Sequence, residues 1–139
     1  MGSKLWALVL AKRVFHLHGA AEDGSVVFRK KLSRAQFEHF MKCQHRCIIA
    51  MEACGSAHHW GRLLAGFGHA VRLVPPVYAK QYVRRHKNDA ADAQAIAEAA
   101  SRPTMRFVAV KFQTQQAQAM AYRSRDMLVR QRTQLINAL

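Results

Sequence analysis

The sequence predicts an α/β fold in which a mixed sheet is covered by helices, and three observations carry that expectation. Three apolar stretches follow one another near the start, the chain then alternates strand and helix patterns, and the last segment is a long run without glycine or proline. Consecutive strands followed by strand–helix alternation place antiparallel and parallel pairings in one sheet, with helices packed on it.

Residues 4–11, "KLWALVLA", form a short apolar run suited to a buried central strand. "VFHLHGAA" and "SVVFRKKL" follow, parted by "EDG", a strong hairpin signal, so three strands come in succession. Ser33 with Gln36 makes a capping box for a helix through about Met41. "CIIAME" at 47–52 is another buried strand, and Ser56 or Ala57 opens a helix that Gly66 and Gly68 help to end. "AVRLVPP" is a fifth strand stopped by two prolines. Asn88 then caps a helix over 89–101, with Pro103 beyond it, and "MRFVAVK" is a short extended piece. The segment from Gln113 onward makes a helix roughly 40 Å long. Ala121, Leu128 and Leu135 fall seven apart, a weak coiled-coil stripe. That helix reaches Leu139 without a C-cap, so the sequence reads as cut off. The division expected is a domain over 1–112 and the start of a coiled-coil helix over 113–139.

Half of the 139 residues are apolar, enough for a real core, while 22 Lys and Arg against eight Asp and Glu leave a net charge of +14. Such a charge attracts polyanions, nucleic acid first. The basic residues are spread along the chain instead of lying on one amphipathic helix, which argues against a membrane partner. No apolar run approaches the eighteen or so residues of a membrane span. The start imitates a signal peptide but is too short and is closed by Lys12–Arg13, so a cytoplasmic protein is the expectation. Cys43, Cys47 and Cys54 are odd in number, against a disulfide framework, and their spacing matches no paired zinc knuckle.

With acids this scarce, each can be judged. Glu52 ends the apolar run "CIIAM" and so occupies the carboxyl end of a buried strand, where ligand sites of open α/β sheets lie. Asp89 and Asp92 are three apart in the first turn of one helix and face the same way. Two explanations stay open at this point. Acids in a first turn suit the helix dipole. If the helix instead packs near the end of the Glu52 strand, three carboxylates converge and suit Mg²⁺. Lys80, Arg84, Arg85 and Lys87 just upstream are cations placed to hold a phosphate backbone beside such a site. Glu98, nine residues past Asp89, lies half a turn away from that face.

The combination of "MEACGSAHHW" with "KNDAADA", and the final "MLVRQRTQLINAL", resembles the amino-terminal domain of transposases of the insertion-sequence one-ten family. The resemblance runs from about "AKRVFHLHG" to the last residue. It implies an RNase H-like, RuvC-type sheet with a D-E-D-D carboxylate site for Mg²⁺ or Mn²⁺. Position by position, the Glu falls on Glu52 and the last two Asp on Asp89 and Asp92. The first Asp does not carry over: "ALVLAK" has Val9 where the family has Asp, a loss that weakens or abolishes a two-metal site. Family members also continue into a second, serine-bearing domain. The partners implied are DNA, a structured guide RNA and further transposase protomers through residues 113–139. The expectation is therefore a truncated or decayed DNA transposase, with a non-catalytic nucleic-acid-binding or dominant-negative partner of an intact transposase as the alternative.

Overall fold

The computed structural model describes residues 4–21, 26–81 and 89–139. Five strands, β1 (Leu5–Leu10), β2 (Val14–Ala20), β3 (Val26–Ser33), β4 (Ile48–Glu52) and β5 (Ala70–Val74), form one sheet in the order β3-β2-β1-β4-β5. β1 is antiparallel to β2, and β2 to β3, whereas β1 runs parallel to β4 and β4 to β5. This mixed sheet with flanking helices is consistent with an RNase H-like domain. An isolated antiparallel bridge from Leu73 to Val108 covers part of the β5 edge, with the Val108 N–H donating to the Leu73 carbonyl at 2.8 Å.

The pleat of β1 explains why its sequence is apolar on every residue. Trp6 and Leu8 enter one core, while Leu5, Ala7 and Val9 enter a second core on the opposite face. The first core is closed by α1 (Arg34–Lys42) and α2 (Gly55–Gly66). α1 contributes Phe37 and Met41, and α2 contributes Ala57, Trp60 and Leu64. Phe15, Phe37 and Trp60 meet edge to face, with ring centroids 4.8–5.6 Å apart. The capping box of α1 is present: the Gln36 N–H donates to Ser33 Oγ, and the Ser33 N–H donates to Gln36 Oε1.

The second core is built from small residues. α4 (Asp89–Ser101) lays Ala93, Ile96, Ala97 and Ala100 over Ala7, Ala50 and Val74. Alanine on both sides lets helix and sheet approach closely, which carries the first turn of α4 toward the carboxyl ends of β1 and β4. β3 closes the far edge of the sheet, where Arg29, Lys30 and Lys31 are exposed, a charged edge that resists further pairing.

His69 joins three elements. Its Nε2–H donates to the Met41 carbonyl at 2.8 Å and its Nδ1 accepts the Cys47 N–H at 3.3 Å, tying the end of α1 to the strands behind it. Cys47 is buried beside this ring, and burial pushes its thiol up to about 11. It is a core residue.

Two details depart from the pattern-based expectation. α2 begins at Gly55, one residue before Ser56. The prolines after β5 stop the strand, but Pro76 also opens a further short helix, α3 (Pro76–Gln81), because its fixed φ suits a first helical position. The expected cap Asn88 lies outside the described residues. The last helix, α5 (Gln113–Ala138), buries none of its residues. Its amino end is nonetheless fixed, since the Phe112 N–H donates to Gln115 Oε1 and Gln116 Nε2 donates to the Gly55 carbonyl at 2.8 Å.

Candidate carboxylate site

The register of the two central strands sets the site. Ala7 of β1 lies beside Ala50 of β4, and Leu8 beside Met51. Continuing that parallel register by one residue puts Val9 beside Glu52. Both follow the alternation of Ala7 and Ala50, so both stand on the face covered by α4.

Asp92 arrives from the other side. It precedes Ala93 and Ile96, the residues that seat α4 on the sheet, and its side chain is half-buried. The three positions meet at a cavity of about 210 Å³ whose lining includes Val9, Glu52, Cys54, Asp92 and Ile96. Glu52 and Asp92 are thereby brought to one place from opposite sides of the cavity. Asp89 is the first residue of α4, and its side chain lies outside the described residues. Among the described residues no group of three His, Cys, Asp or Glu side chains is close enough to hold a metal ion.

The surroundings of the two acids matter for what they can do. Among the described residues Glu38 pairs with Lys42 at 3.2 Å and Glu98 with Arg102 at 3.3 Å, both on the surface, while Glu52 and Asp92 take part in no ion pair. Hard oxygen donors of this kind fit Mg²⁺ or Mn²⁺ shared with water and phosphate. Val9 brings a hydrocarbon wall to the same cavity.

Lys80 is exposed in the last turn of α3. Arg84, Arg85 and Lys87 lie outside the described residues. Cys54 is the lining residue that pattern reasoning overlooked; it is exposed, it caps α2, and it stands two residues past Glu52. Its nearness to Glu52 in "MEACG" was the available signal.

The chain is 54% identical over 129 residues to a putative transposase y4pF/y4sB of Sinorhizobium fredii, an alignment covering 93% of this chain and 33% of that protein. It is 52% identical over 130 residues to a probable family 20 transposase of Pseudomonas aeruginosa, covering 94% of this chain and 38% of that protein. To the transposase for insertion sequence element IS1328 of Yersinia enterocolitica it is 41% identical over 130 residues, covering 94% of this chain and 39% of that protein. The chain thus spans 33–39% of the length of these curated relatives. The family model of IS110-type DEDD proteins, described as "Transposase", matches residues 10–139, and the chain belongs to that transposase family.

Proposed function

We propose that this chain forms the metal-binding part of a DNA transposase, an RNase H-like domain of the RuvC type. In this reading Glu52, Asp89 and Asp92 hold a divalent cation, Mg²⁺ or Mn²⁺, and Lys80, Arg84, Arg85 and Lys87 grip the phosphate backbone. The observation that carries it is the convergence of Glu52 and Asp92 on one cavity at the carboxyl ends of the central strands, with neither acid in an ion pair among the described residues. A bound cation would supply polarisation of a phosphodiester oxygen. The chain's own residues position the strand: cations hold its backbone, and the apolar floor of Val9 and Ile96 limits water beneath it.

The net charge of +14 supports DNA and structured RNA as partners, gripped through phosphates. Residues 1–112 make the carboxylate domain, and 113–139 begin a helix through which protomers pair. Exposed Leu128 and Leu135, seven apart on α5, support that pairing.

Val9 favours a second reading, in which the chain binds nucleic acid without catalysis and acts on an intact transposase as a partner. Calorimetric titration with Mn²⁺ separates the two. Weak binding that the double variant Glu52→Gln, Asp92→Asn abolishes supports the metal site; equal heats in both proteins would overturn it. Retained DNA affinity without metal binding would select the second reading.

A further inference from the structure

A second cavity, of about 480 Å³, adjoins the carboxylate cavity. Cys54 lines both. Ala53, Cys54 and Gly55 form one side of it, and His58, Lys111 and Arg123 stand around the rest. Among the described residues no carboxylate lines it.

Three independent features make this a cavity of donors. Lys111 arrives from the extended segment after α4, and Arg123 from the third turn of α5, so their charges come from different elements. Cys54, at the N-cap of the twelve-residue α2, makes no side-chain cap bond, and of the first amides that of Ala57 donates to the Cys54 carbonyl at 3.2 Å, so the positive end of the helix opens on this cavity. His58 is only 7% exposed, and its Nδ1 accepts the Lys111 N–H at 3.0 Å. That bond assigns the ring proton of the neutral form to Nε2, which has no hydrogen-bond partner among the described residues. The walls are held in place: Arg62 donates to the Lys111 carbonyl at 2.6 Å, and Gln116 donates to the Gly55 carbonyl at 2.8 Å.

We propose that this cavity binds a backbone phosphate of the DNA strand that enters the neighbouring carboxylate cavity, with Lys111 and Arg123 as charge partners and His58 Nε2–H as a directed donor. The assignment rests on the proposed reading of the carboxylate cavity as a nucleic-acid site, which it deepens by giving the strand a second point of attachment. Holding an adjacent phosphate fixes where the strand lies across Glu52 and Asp92.

Two measurements on the folded chain test this. A thymidine dinucleotide titrated into the protein should shift the His58 ring ¹⁵N signals and leave those of exposed His39 unmoved; no response at His58 would overturn the proposal. Binding of a labelled oligothymidylate is then followed against salt. The double variant Lys111→Gln, Arg123→Gln should lower the slope of log affinity against log salt by about 1.4, the value for two lost contacts to a single strand. The variant Arg130→Gln, Arg132→Gln removes equal charge from α5 outside the cavity and should lower it by less than half as much. Equal losses from both variants would overturn the proposal, as would an effect confined to oligouridylate. Failure of the underlying reading looks different: Mn²⁺ binding is then absent from the wild type, whereas the His58 response and its behaviour in the Glu52→Gln, Asp92→Asn variant concern only the phosphate cavity.

Discussion

Replacing Val9 by aspartate places a carboxylate one strand spacing from Glu52, on the same face and in the same cavity as Asp92. Two carboxylates about 5 Å apart, at an effective dielectric of about 20, repel by roughly 3 kcal/mol. Loss of the half-buried valine side chain adds about 1 kcal/mol. Without metal, Val9→Asp should therefore cost about 4 kcal/mol, which for a domain of this size lowers Tm by roughly 12–16 °C at neutral pH. A cation bound at one hundred times its Kd returns about 2.7 kcal/mol, most of that loss. The assay is thermal unfolding followed by circular dichroism, in chelator and in Mn²⁺, with calorimetry to measure the affinity. Val9→Asn serves as control, since it loses the same packing without adding charge and should show little recovery in Mn²⁺. A Val9→Asp protein with the same Tm in chelator and in Mn²⁺ would refute the reasoning and leave Asp92 as a residue that suits the helix dipole.

Stability should fall as pH drops below about 6.5. His18 is held below the ordinary histidine value by burial and then by Arg29, and His58 by burial and then by Lys111 and Arg62. The unfolded chain thus takes up protons on these rings before the folded one does, and the loss continues until the lowered folded values are passed, as denaturant midpoints between pH 7.5 and 5 would show. His69→Leu should cost about 2–5 kcal/mol by chemical denaturation, because it strands both the Met41 carbonyl and the Cys47 N–H in the interior. Gly19→Ala should destabilise by about 1–3 kcal/mol: a Cβ there would meet the Phe28 ring at 2.3 Å, and that ring is itself set edge-on against Trp6. Charge reversal at Arg84 and Arg85 should weaken binding to all DNA sequences alike, measured by fluorescence anisotropy, since phosphate contacts carry little base information.

Much of the architecture was legible because local signals are strong where the chain changes direction. The capping residues Ser33 and Gln36 start α1 as expected, and the apolar runs of β1, β4 and β5 mark strands buried on both faces. α3 was missed because a proline pair reads as a stop, and the same Pro76 that cannot continue a strand is well placed to begin a helix. The overlooked residues Lys111 and Arg123 are unremarkable in a chain with 22 Lys and Arg, since nothing local distinguishes a cation that faces a cavity from one that faces water.

What the sequence by itself determined is the set of elements other than α3, the alternation of each strand and the strongly positive charge, because these follow from periodicity and composition within a few residues. Glu52 at a strand end and Asp89–Asp92 in a first helical turn were visible in the same way. Tertiary structure alone decided that Val9, Glu52 and Asp92 share a cavity. β1 and β4 are separated by 37 residues and α4 begins a further 36 residues on, so their meeting depends on parallel strand pairing and on alanine-to-alanine packing across the sheet. Those are long-range contacts, selected by the burial of the whole second core, and no local pattern encodes them.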